Sequence, residues 1–143
     1  MTVFATRQLP DEPDAVAPDG SIVRVLLGLT GGSTAEFSLE SNEIAIAVRH
    51  RTVEEIWFVT HGSGRMWRAS DEIAELEVEL HAGTCLTIPT GTEFQFRSGD
   101  FGLRILGVTL PPWPLDRIEA VRASRQRWSP TVVAGPGLGE RDD

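Results

Sequence analysis

Among the side chains of this chain that could do chemistry, His50 stands out by its surroundings. In the run from Glu43 to His50, Ile44, Ile46, Val48 and His50 share one parity, and Glu43, Ala45, Ala47 and Arg49 share the other. Side chains alternate along a strand, so His50 is expected on the apolar, inward face and Arg49 on the outward one. An imidazole in such a place is a candidate general acid or base. Glu55 opens the next run, with Trp57, Val59 and His61 following it on the same face. A carboxylate beside an imidazole favours the imidazolium, whereas burial disfavours both charges, so spacing alone leaves the protonation of such a pair open. His61 lies about 20 Å along an extended chain from Glu55, and His81 sits at a turn before Gly83. Cys85 has no neighbouring His or Lys to lower its pKa, which argues against a nucleophile. Either Trp67 or Arg68 faces the same interior; an inward Arg68 would bind an anionic substrate or neutralise Glu55.

The elements that must position these groups read as strands. Alternating runs cover Ile22–Leu27, Phe37–Leu39, Ile44–His50, Glu55–His61, Arg65–Ala69, Leu76–Leu80, Thr84–Ile88, Phe94–Arg97 and Leu103–Thr109. Turn residues separate them, and Gly62-Ser63-Gly64 reads as the turn of a hairpin whose second strand is Arg65–Ala69. Many short strands with no intervening helix indicate an all-β sandwich or barrel. Beyond Pro111-Pro112-Trp113-Pro114 the texture changes, and residues 115–128 are expected to form a short helix carrying Ile118, Val121 and Trp128. The expected organisation is an irregular lead-in over 1–20, a barrel over 21–112, an extension over 113–133 and a disordered tail over 134–143.

Composition bounds the function. The 143 residues carry a net charge of −8, with 13 basic residues that are all Arg. That balance argues against binding nucleic acid or anionic lipid, both of which need clustered cations. A single cysteine permits no internal disulfide and no thiolate zinc cluster. No apolar run reaches the ~18–20 residues of a membrane helix, and the N-terminal stretch lacks the pattern of a secretory signal. A soluble, cytoplasmic protein is expected.

Two stretches carry a resemblance. Val48-Arg49-His50, then Glu55, then Gly62 resembles the first signature of the cupin family, with valine at the first histidine position. Gly83, Pro89 and Gly91 resemble the second signature, with Phe94 at its histidine and Ser98 at its asparagine. The resemblance covers roughly residues 22–112 and implies a double-stranded β-helix, or jelly-roll, barrel. In metal-binding cupins three histidines and a glutamate converge on one divalent ion. Only His50 and Glu55 remain here, so no cofactor is expected; a divalent transition metal, if bound, would rest on those two residues. By parity Val48, Trp57, Val59, Phe94 and Phe96 line the interior with them, which suits an apolar or planar small ligand, with Arg68 as a polar contact. The same residues equally serve to fill a small barrel.

The expected function is a small-molecule site with His50 and Glu55 as its catalytic groups; the resemblance permits isomerase- or cyclase-type chemistry there but does not select it. The alternatives are a metal-dependent dioxygenase with an incomplete ligand set, and a non-enzymatic ligand-sensing or dimerisation domain. Cupins commonly dimerise, so a homodimer is expected, with the outer face of Arg24–Leu29 and Trp113 as natural contacts.

Overall fold

The structure, a computed structural model, describes residues 3–141. Among them there is no helix, and so none long and apolar enough to cross a membrane. The strands are β1 (Ala15–Val16), β2 (Ile22–Leu29), β3 (Gly32–Leu39), β4 (Val48–His50), β5 (Glu54–Ala69), β6 (Leu76–His81), β7 (Cys85–Ile88), β8 (Glu93–Leu110) and β9 (Ala120–Arg122). They form one curled sheet with the path β1-β2-β3-β8-β4-β9, and β5 joins β6, β7 and β8.

The curl comes from the two long strands. β5 and β8 run antiparallel from Glu54 opposite Leu110 to Ala69 opposite Glu93. The C-terminal half of β8 pairs with β3 and its N-terminal half with β4. Likewise β5 pairs first with β7 and then with β6. Each long strand therefore serves both walls, and its bend is what closes the barrel.

Here the structure corrects the reading of Gly62-Ser63-Gly64. These residues make no hairpin turn; Glu55–His61 and Arg65–Ala69 are halves of one strand whose register slips between Val59 and His61 and again between Gly62 and Gly64. Gly62 has a φ of 84° and Gly102, across from it in β8, a φ of 72°. A Cβ on Gly62 would collide with the Gly102 carbonyl, and one on Gly64 with that of Arg97. Turns and bulges both recruit glycine for positive φ and close backbone approach, so the local signal is the same for either. For the same reason Phe94–Arg97 and Leu103–Thr109 are parts of a single β8.

The C-terminal extension also differs from expectation. No helix forms over 115–128; Ala120–Arg122 adds as β9 to the edge of β4, with Val48 opposite Arg122 and His50 opposite Ala120. The open edge of β4 offers backbone partners that a loosely amphipathic helix would forgo. Buried side chains hold the extension in place. Gln95 Nε2 donates to the carbonyls of Ala45 (2.9 Å) and Trp128 (2.8 Å), and its Oε1 accepts from the amides of Arg127 (2.8 Å) and Trp128 (3.0 Å). The tail expected to be disordered is fastened as far as Gly139, whose amide donates to Ala120 O (2.9 Å) and whose carbonyl accepts from Arg122 N (2.8 Å). Residues 142–143 of that tail lie outside the described residues. In the lead-in, Ala15 and Val16 pair with β2.

Candidate functional site

Strand pairing settles which side chains face the interior, because residues directly opposite in an antiparallel pair share a face. Val48 is opposite Phe94, and Phe94 is opposite Arg68; Met66 is opposite Phe96. Val48, His50, Phe94, Phe96, Met66 and Arg68 therefore share the interior face, and Trp67, opposite Gln95, points to the other side. There the Trp67 indole Nε1 donates to Glu75 (3.1 Å). Along β5 burial alternates strictly from Glu54 to Val59, with Glu55, Trp57 and Val59 inward. His61, past the bulge, is exposed, as are His81 and Cys85.

The structure brings most of the expected site residues together in one apolar cluster. Val48, Trp57, Val59, Phe94 and Phe96 are all buried in the core. Trp57 meets Phe96 edge-on at 4.9 Å and Phe94 at 5.7 Å between ring centroids. Phe37, from β3, approaches Trp57 at 5.7 Å. Gly107, opposite Trp57 on β8, leaves the space that the Phe37 ring occupies. Such edge-to-face pairs add about 0.5–1.5 kcal/mol each beyond simple burial.

At one end of this cluster His50 and Glu55 meet across the loop joining β4 to β5. They are 6% and 3% exposed. His50 Nδ1 lies 3.5 Å from Glu55 Oε2 and completes no hydrogen bond. The imidazole is boxed by two aromatic edges, Phe94 at 5.2 Å and Trp113 at 5.1 Å. Trp113, half-buried, lies against His50, its amide bonded to Ser33 Oγ at 3.0 Å.

Burial decides the protonation that spacing left open. It pushes the His50 pKa down to about 4, against the charge of Glu119, which favours the imidazolium. Burial pushes Glu55 up to about 8, with the charge of Asp19 acting in the same direction. The nearby Trp57 N–H opposes this in part, yet completes no hydrogen bond. Between these values both groups are neutral, with Glu55 as a carboxylic acid and His50 as an imidazole. Desolvation has outweighed the attraction that an ion pair at this distance would gain.

Arg68 reaches the same face from the other side of Phe94. Its Nη1 donates to Thr87 O at 2.8 Å, while its Nε is buried without a partner. The unpartnered interior atoms are His50 Nδ1, Trp57 Nε1 and Arg68 Nε; parity placed His50 and Trp57 inward, and the pairing of β5 with β8 places Arg68.

Two acids escaped the sequence reading. Asp19 is buried, accepts from Ser21 N (2.9 Å) and Ser21 Oγ (2.7 Å), and is itself shifted upward by burial. Glu119 is 1% exposed and accepts from the amides of Arg51 (3.1 Å) and Thr52 (2.8 Å) and from the Thr52 hydroxyl. It fixes the loop that sets His50 against Glu55. The Asp19-Gly20-Ser21 stretch signals a local turn and nothing at a distance, and Glu119 sat in an expected helix, so no signal in the sequence tied either to the site.

The residues present do not fit the ion that the cupin signatures imply. Val48 and Phe94 stand at two corners of the ligand set and offer no lone pair. Among the described residues no group of three or more His, Cys, Asp or Glu side chains could hold a metal ion.

Solved structures resemble this barrel closely. The coconut allergen cocosin superimposes with a TM-score of 0.64 at 21% identity, over 73% of this chain and 30% of its own. The 11S globulin of Wrightia tinctoria, described with an auxin binding site, gives 0.65 at 21% identity, over 79% and 29%. Oxalate decarboxylase of Lactobacillus farciminis, in complex with formate, gives 0.64 at 17% identity, over 78% and 34%. This chain has the cupin fold. It spans about a third of the length of those proteins, 29–34%. No protein-family model and no curated protein matches the sequence.

Proposed function

We propose that this cupin-fold protein binds a small, planar or apolar molecule at the His50–Glu55 end of the barrel. There the pair exchanges protons with the ligand without a metal, as in an isomerase or cyclase. The observation that carries this reading is the opposed displacement of two touching groups: at neutral pH Glu55 holds a proton it can give, and His50 offers a lone pair that can take one. Pairs whose environments push their pKa values apart in this way are how one site supplies acid and base together. The aromatic edges of Phe94 and Trp113 suit a flat ligand, and Arg68 and Trp57 offer unpartnered N–H donors on the same face. Trp113 and Arg68 are the half-buried members, and a ligand would enter on their side. The shared fold supports a small organic ligand too, since relatives in fold are described with auxin and with formate. The expected setting is a cytoplasmic homodimer.

The test is ligand-observed NMR with a set of planar carbonyl compounds, run on the wild type, His50→Ala and Glu55→Gln, alongside elemental analysis. Binders that enter the wild type and lose affinity in both variants support the proposal. Equal binding to all three proteins overturns it. So does near-stoichiometric Mn, Fe, Ni or Zn that disappears in His50→Ala.

A further inference from the structure

We infer that Arg68 sets the specificity of the proposed site by taking a carboxylate, so that the ligand is a planar, unsaturated or aromatic carboxylate. This rests on the ligand site proposed above and adds the chemical class of what enters it. Arg68 stands on β5 opposite Phe94, and Phe94 stands opposite Val48. The three are successive rungs of one interior face, so the Arg68 backbone lies two strand spacings, roughly 10 Å, from that of β4. His50 is the next inward residue on β4 and meets Phe94 edge-on. Arg68 and His50 therefore lie to either side of Phe94.

The state of the guanidinium decides what it binds. Its Nη1 is held by the Thr87 carbonyl of β7 at 2.8 Å, which ties the tip of the side chain at the rim. Its Nε is buried and unpartnered. The edge left open is the one formed by Nε and Nη2, a two-donor fork that matches the two oxygens of a carboxylate. Among the described residues Arg68 makes that one hydrogen bond and no ion pair with a carboxylate; burial lowers its pKa, and no neighbouring acid acts to raise it. A guanidinium stays charged all the same. A half-buried charge without a counter-ion is costly, and an anion arriving from outside offsets that cost.

The sequence left open whether an inward Arg68 neutralises Glu55. It does not: burial keeps Glu55 a carboxylic acid up to about 8, and the charge that acts on it is that of Asp19. Charge also orients the ligand. At the other end of the face the charge of Glu119 reaches His50, and Glu119 is anchored by the amides of Arg51 and Thr52. A second anion is disfavoured beside His50 and favoured at Arg68. A ligand with its carboxylate on the open edge of Arg68 lays its flat frame along Phe94 and brings its far carbon to the His50–Glu55 pair. A neutral ligand of the same shape leaves the Arg68 charge unmet.

The experiment compares benzoate with benzamide, and trans-cinnamate with cinnamamide, by ligand-observed NMR titration at neutral pH and constant ionic strength. Each pair has one shape and differs in charge. The proteins are the full-chain wild type, Arg68→Gln, Arg68→Lys and His50→Ala, checked for folding by circular dichroism. At least one acid should bind saturably, about tenfold or more tighter than its amide. Arg68→Gln should bring that acid to the level of the amide, Arg68→Lys should keep part of the preference, and His50→Ala should weaken acid and amide alike. Equal binding of acid and amide to the wild type, with both weakened in His50→Ala, overturns the role of Arg68 while the proposed site stands. A preference unchanged in folded Arg68→Gln puts the anion elsewhere and overturns it too. So does the absence of saturable binding by either acid, and the neutral carbonyl compounds then tell whether the site itself survives. The comparison of acid with amide is made on the wild type, so it reports even if Arg68→Gln fails to fold.

Discussion

Replacing Glu55 by Gln should change how stability depends on pH, and the size of the change follows from the site. In the folded protein burial pushes Glu55 up to about 8 from its ordinary 4.5. The folded state therefore binds a proton that the unfolded state releases, and this contribution is complete below pH 4.5 and lost as pH rises toward 8. His50 acts in the other direction: its value of about 4 lies below the ordinary 6.5, so its contribution is complete above pH 6.5 and lost as pH falls through 4. Between pH 4.5 and 6.5 the two slopes oppose each other and stability is nearly flat. Above 6.5 only the Glu55 slope remains of the pair, about 1.4 kcal/mol per pH unit, or about 2 kcal/mol between pH 6.5 and 8. Asp19 is also shifted upward by burial and adds a slope of the same sign, so the quantity to measure is the difference between the two proteins. Urea unfolding at pH 5.5, 6.5, 7.3 and 8.0, followed by tryptophan fluorescence, gives that difference directly. Glu55→Gln should gain about 2 kcal/mol on the wild type across the upper part of the range. A difference that stays constant from pH 5.5 to 8 would mean that Glu55 is ionised in the folded protein throughout, and the donor half of the proposed pair would be gone.

Gln95→Leu leaves two amides and two carbonyls without their partners, at about 1 kcal/mol each, so a loss of about 3–4 kcal/mol is expected. Hydrogen exchange should accelerate first at the Arg127 and Trp128 amides; unchanged protection there would show that the extension is held by other bonds. The double variant Val48→His, Phe94→His places two imidazoles on facing positions beside His50 and Glu55. It should bind Co²⁺ or Ni²⁺ about 100-fold more tightly than the wild type, and a folded double variant with no such gain refutes the assignment of Val48 and Phe94 to ligand corners.

Much of the site was legible because alternation is a local property. Glu55, Trp57 and Val59 fall inward, and Val48 and His50 join them, on nothing more than a period of two. Parity stopped at the glycines: it could not choose between Trp67 and Arg68, because the answer depends on whether Gly62-Ser63-Gly64 reverses the chain or merely bends it. Only the pairing of β5 with β8 along their whole length resolves that. The lid over His50 was hidden for a different reason. Trp113 follows Pro111 and Pro112, and a proline run announces the end of a strand but not where the next residue packs.

The sequence by itself determined an all-β chain and the inward face of the runs Ile44–His50 and Glu55–Val59, because these rest on residue identity and nearest-neighbour geometry. Tertiary structure alone decided the protonation of His50 and Glu55, the positions of Asp19 and Glu119 near them, and the folding of the C-terminal extension onto β4. Those outcomes depend on desolvation and on contacts between residues far apart in the chain, and such terms are fixed only when the barrel closes.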